Sequence, residues 1–164
     1  MIMICVSAVG CSESRALPKA ASLTGEAGGC GTFLVYRFNE SRTLAVVVTV
    51  DQYQFELSEE PTIIPLEPGQ PGVDVQVLHF EQPAGQYFCD DVGGDPEPFA
   101  TWTVTGGTLE VILTAGTPPA NLSNATHKAT VILKNATITN SKSSEVSEFG
   151  DVRIDDVWVG WFAG

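Results

Sequence analysis

Four carboxylates crowd into ten residues of this chain. Asp90, Asp91, Asp95 and Glu97 lie in Cys-Asp-Asp-Val-Gly-Gly-Asp-Pro-Glu-Pro. Carboxylates gathered around a Gly-Gly bend can surround calcium, a hard cation that takes oxygen ligands. The spacing differs from that of an EF-hand loop, which needs ligands at alternating positions and a distal glutamate. Calcium is therefore the one cofactor the residues suggest, at Asp90, Asp91, Asp95 and Glu97. A second candidate is aromatic. Trp158 and Trp161 fall near the C-terminus, and flat indole faces stack on sugar rings. In a regular strand the two would point to opposite faces. Asp151, Asp155 and Asp156 flank them. A carboxylate pair can act as acid and base in glycoside cleavage only at a suitable separation, and the spacing here does not set one.

Other catalytic patterns are missing from the sequence. The histidines, His79 and His127, stand alone. There is no Gly-x-Ser-x-Gly elbow, no His-Glu-x-x-His and no phosphate-cradling glycine loop before a lysine. The residues assign no catalytic role, and the chain is expected not to be an enzyme.

The N-terminus carries a different signal. An apolar run, Ile2-Met3-Ile4-Cys5-Val6, ends in Ala8-Val9-Gly10-Cys11 and gives way to Ser12-Glu13-Ser14-Arg15. This segment resembles a bacterial lipoprotein signal. The resemblance implies that residues 1–10 are a removed leader, that Cys11 is lipidated, and that the chain is exported and tethered to a cell or outer membrane. It also accounts for the cysteines. Cys5 leaves with the leader and Cys11 is committed to lipid, so a disulfide between Cys30 and Cys89 is implied, as suits an oxidising compartment.

Composition bounds the partners. The chain has 164 residues and a net charge of −12. That charge repels phosphate backbones, so nucleic acid is excluded as a partner. It also repels anionic lipid, so attachment to a membrane must come through the lipid anchor. Apolar residues make up 43%, enough for a packed core. Charged residues are only 17%, leaving the surface to Thr, Ser, Asn, Gln and Gly.

The elements that must position these residues read as strands. Residues 11–29 are rich in Ser, Ala and Gly, and suggest a flexible tether ahead of a single domain at 30–164. Phe33–Phe38 and Thr43–Val50 are aromatic and β-branched, which suits a pleated surface. They flank the turn Asn39–Arg42 and read as a hairpin. Gln52–Leu57 suggests a short strand. The prolines around Thr62–Leu66 confine it to an edge. Val73, Val75 and Val77 alternate with Asp74 and Gln76, giving one dry face and one wet face. Phe99–Thr105 and Thr108–Leu113 meet at Gly106-Gly107, the signature of a two-residue hairpin turn. His127–Thr139 and Val152–Phe162 complete the series.

The expectation is an all-β antiparallel sandwich of about eight or nine strands, with a closed eight-stranded barrel as the alternative. Its function is expected to be binding of a partner envelope protein or a glycan by a lipid-anchored, non-catalytic module. The alternatives are a lipid or small-molecule carrier with a barrel cavity and an extracellular hydrolase acting on polymers.

Overall fold

The computed structural model describes residues 16–90, 96–122 and 124–161. The all-β antiparallel expectation holds. Eight strands are present among the described residues: β1 (Ala27–Cys30), β2 (Leu34–Phe38), β3 (Leu44–Val50), β4 (Thr62–Pro65), β5 (Val73–His79), β6 (Ala100–Thr114), β7 (His127–Asn140) and β8 (Val146–Val159). All belong to one sheet, ordered β1-β2-β3-β5-β6-β7-β8, with β4 paired to β6 beyond the end of β5. The sheet curls into a half-barrel. Its halves face each other over a common core, as sandwich layers do, yet stay joined by hydrogen bonds.

The β2–β3 hairpin forms where the β-branched run predicts it. Its turn is held by Asn39, whose Oδ1 accepts from the Thr43 and Leu44 amides at 2.9 and 3.0 Å. Asn serves here because its short side chain can imitate a backbone acceptor. The edge reading of Thr62–Leu66 also holds, since among the described residues β4 pairs only with β6. Gln52–Leu57 corrects the short-strand expectation: it is a run of turns. Asp51 Oδ1 caps it by accepting from the Tyr53 and Gln54 amides at 3.0 and 3.1 Å.

Gly106-Gly107 is a correction with a consequence. No hairpin turns there; residues 100–114 run through as one strand. Gly107 uses its positive φ of 104° for a bulge, where the register to β7 slips. The local chemistry of a bulge and of a tight turn is the same, because both need a residue free of the Cβ penalty. β7 is long enough to pair with both flanks, and that continuous ladder settles the outcome.

The neighbouring strands break register at the same level. Asn135 in β7 has φ 52° and Gly150 in β8 has φ 103°, and Ala136 pairs with Gly150. Bulges aligned across three strands bend all of them together, which raises the curl of the sheet. Asp151 stabilises this corner by accepting the Asn135 amide proton at 2.6 Å.

The inside of the curl is filled by side chains. Val35, Val77, Leu109, Val111, Leu133 and Ile154 lie within it, none more than 1% exposed. Each such burial contributes about 1.5–3 kcal/mol before entropy is counted. A smaller cluster sits on the outer face of β2, β3 and β5. Phe38, Ala45, Leu78, Phe80 and Ala84 form it, with Tyr36, Tyr87 and Phe88 packed alongside. The loop after β5 therefore folds back over the sheet.

Residues 16–29, the described part of the stretch expected as a tether, pack against the domain. Ala20 and Leu23 are buried in the main core, and β1 begins at Ala27. Small and apolar residues in this stretch fit against β8, and Lys19 Nζ donates to the Glu148 carbonyl at 2.7 Å. Domain packing thus starts well before residue 30.

Candidate functional site

The half-barrel meets itself where β8 ends against β1. The Gly31 amide donates to the Trp161 carbonyl at 2.6 Å, and the Gly160 amide donates to the Gly31 carbonyl at 2.8 Å. Gly29 lets the strands approach: a β-carbon there would lie 2.9 Å from the Trp158 carbonyl oxygen. On the outside of this seam lie two adjoining depressions that share Glu26, Tyr36 and Trp161. The larger, of about 380 Å³, adds Gly28, Asp155, Asp156 and Trp158. The smaller, of about 230 Å³, adds Arg42, Gln86, Phe88 and Cys89.

Trp158 and Trp161 were expected on opposite faces. They line one groove instead. Gly160, at φ 80°, turns the chain after β8 and brings the second indole round. Trp161 Nε1 donates to the Trp158 carbonyl at 3.2 Å, which fixes its ring. Lys128 Nζ sits 5.4 Å over the Trp158 ring.

Tyr36 forms the middle of the site. Its ring stacks on Phe88 at 4.7 Å between centroids and meets Phe38 edge-on at 5.6 Å. Tyr36 and Phe38 share a face because strand side chains alternate. Burial raises the Tyr36 pKa above its ordinary value; the Glu26 charge raises it further, and Arg42 opposes. The phenol is thus held as a neutral hydroxyl, able both to donate and to accept. Glu26 pairs with Arg42, which also donates to the Gly85 carbonyl and covers the Phe38 ring at 4.6 Å.

The disulfide between Cys30 and Cys89 forms as implied, with Cα atoms 5.7 Å apart. It ties the end of β1 to the loop that carries Gln86 and Phe88. One wall of the groove is therefore covalently attached to the strand beneath it.

Of the remaining candidates, Asp155 and Asp156 border the groove. Asp90 and Glu97 are exposed. Asp91 and Asp95 lie outside the described residues, as does Cys11. Among the described residues no group of three or more His, Cys, Asp and Glu is placed to hold a metal ion. Asp151 is engaged by the Asn135 amide, and Asp155 pairs with Arg153 at 2.7 Å. Trp102 is a core residue, 6% exposed. His79 lies against Phe99, whereas His127 lines a separate depression with Tyr53 and Leu113.

Sequence reasoning missed Glu26, Gly28, Tyr36, Arg42 and Phe88. One signal was available: Tyr36 and Phe38 stand two apart in a strand and so form an aromatic face. Nothing local says that residues near 158 come to lie beside it.

What the fold and site define is an antiparallel half-barrel with an aromatic, acid-rimmed groove along its seam. Comparison of the chain with protein-family models, with curated proteins and with solved structures gives no match.

Proposed function

We propose that this chain is a non-catalytic, exported binding module whose ligand is a glycan. The groove lined by Tyr36, Trp158 and Trp161 carries the reading. Three aromatic residues beside Glu26, Asp155 and Gln86 combine stacking faces with hydrogen-bonding groups. Sugar rings ask for that combination: apolar C–H faces over aromatic rings, and hydroxyls at the edge. The two depressions adjoin and are open to the outside, which suits a chain of sugars better than a small enclosed molecule.

The disulfide supports a location where thiols oxidise. No helix among the described residues is long and apolar enough to cross a membrane. Lipid on Cys11 is the proposed anchor, placing the module at the cell or outer membrane on the exported side. A carrier would need an apolar cavity inside the sheet, and the inner face is instead occupied by packed Val, Leu and Ile. Calcium at the 90–97 loop stands as a separate proposal, and a melting temperature indifferent to millimolar calcium removes it.

Titration of tryptophan fluorescence with a panel of oligosaccharides tests the glycan reading. Trp158 and Trp161 lie in the groove, so binding is expected to shift or quench emission. A panel that leaves emission unchanged and shows no heat of binding overturns the reading.

A further inference from the structure

We propose that the Cys30–Cys89 disulfide is a redox switch for the groove. A dithiol reductant opens it in the folded chain, the wall at Gln86–Cys89 comes away from β1, and the groove loses its shape while the half-barrel persists. The proposal concerns the wall itself and holds whichever ligand the groove takes.

The two cysteines are placed unequally. Cys30 ends β1, is 8% exposed, and adjoins Gly31, whose backbone closes the seam. Cys89 is half-buried and lines the smaller depression with Gln86, Phe88 and Trp161. A reductant entering that depression therefore meets Cys89 first. Its thiolate attacks Cys89 Sγ, the S–S bond breaks, and the electron pair leaves on Cys30 Sγ, which takes up a proton. The reductant's second thiolate then attacks the reductant's own sulfur in the mixed disulfide, and Cys89 departs as a thiolate and is protonated. Two electrons pass to the protein, and the dithiol leaves as a disulfide.

Backbone strain favours opening. Cys89 has φ 61°, a left-handed conformation that a β-carbon disfavours. Such a conformation persists only while its surroundings hold it. The bridge to Cys30 is one of those holds, and its loss frees Cys89 to relax. Disulfides that are strained or exposed are the ones thiols reduce most readily.

The loop after β5 is fastened in two parts. Up to Gly85 it is held without the disulfide. The Phe80 amide donates to the Thr43 carbonyl at 2.8 Å, the Ala84 amide donates to the Arg42 carbonyl at 2.9 Å, and Arg42 donates to the Gly85 carbonyl. Beyond Gly85 the Tyr87 amide bonds back to the Ala84 carbonyl at 3.1 Å, within the loop itself. Phe88 meets Tyr36 and Phe38 through its ring, and Cys89 is tied to β1 by the bridge. Reduction thus releases the end of the loop and leaves its base in place. The packed cluster inside the curl includes neither cysteine.

Reduction of the intact, folded chain with millimolar dithiothreitol tests the switch. Alkylation followed by peptide mass spectrometry should find Cys30 and Cys89 as thiols, while the far-ultraviolet circular dichroism of the sheet is unchanged. Amide exchange at Gln86–Cys89 should quicken by roughly tenfold or more, with β3, β6 and β7 unaffected. Cys30→Ser combined with Cys89→Ser should exchange like the reduced chain, with or without dithiothreitol. A bridge that is reduced only after denaturation overturns the proposal and leaves a plain staple. Reduction without faster exchange at Gln86–Cys89 also overturns it, because the wall then stays in place. Loss of the sheet signal on reduction overturns it as well, since the bridge would then hold the whole fold rather than the groove.

Discussion

Tyr36 lies across Gly28 in the adjacent strand. The two are register partners, and a β-carbon on Gly28 would sit 2.5 Å from the Tyr36 hydroxyl. The missing side chain at 28 is what lets the phenol ring rest over β1 and form the middle of the groove. Gly28→Ala is expected to displace Tyr36, since the obstructing atom is the far end of a side chain and can swing away. Unfolding free energy should change by less than about 1 kcal/mol, because the better strand propensity of alanine offsets the weaker packing of the displaced ring. Glycan affinity should fall roughly tenfold, as for loss of one stacked aromatic. Affinity equal to that of the parent chain would show that Tyr36 takes no part.

The disulfide closes a loop between positions 59 residues apart. Loop-closure entropy assigns such a bridge about 4 kcal/mol of stabilisation. Cys30→Ser combined with Cys89→Ser should lower the stability measured by denaturant unfolding by an amount of that order. The loop carrying Phe88 would also lose its anchor, so glycan affinity should drop. Unchanged unfolding in reducing buffer would contradict the stabilising role.

Gly107 holds φ 104° in the bulge of β6, and a β-carbon there would lie 2.5 Å from the Lys134 carbonyl oxygen. Backbone atoms cannot swing aside as a side chain can. Gly107→Ala is expected to cost at least about 2 kcal/mol, through strain and the clash together. A thermal melt compares it with Gly69→Ala, where φ is 74° but nothing lies within 4 Å. If both variants melt together, the bulge is not what makes Gly107 necessary.

Alkaline stability should depend on Tyr36. Burial, aided by Glu26, raises its pKa above the ordinary value of 10.0, so the folded chain holds that proton more tightly than the unfolded chain. The contribution is complete below the ordinary value and is lost as pH rises through the raised one. Denaturant unfolding between about pH 9 and about pH 11 should show stability falling, and Tyr36→Phe should fall less steeply over the same range. Parallel curves for the two proteins would rule out a coupled phenol.

Membrane attachment is proposed to depend on Cys11. In a bacterial host, the parent chain should partition into detergent phase and label with radioactive fatty acid. Cys11→Ser should do neither, because the proposed acyl chains are what would hold the chain in a bilayer. Equal labelling of the two would remove Cys11 as the lipidated residue.

Much of the fold was legible because strand side chains repeat every two residues. That period marked the dry face of Val73–Val77 and the hairpin around Asn39 before any tertiary contact was known. Local signals stopped being sufficient where one chemistry serves two geometries. Gly106-Gly107 permits a turn or a bulge, and the length of β7 chose the bulge.

By itself the sequence determined the strand content, the alternating faces and the aromatic pair Tyr36 and Phe38, since these follow from side-chain type and spacing along one segment. Only the tertiary structure decided that Glu26, Gly28 and Tyr36 meet Asp156, Trp158 and Trp161. More than a hundred residues separate the two groups. Three aligned bulges curl the sheet until its first and last strands touch, and a glycine at position 160 then rotates Trp161 to the outer side. The groove is a product of that closure, which no single stretch of chain encodes.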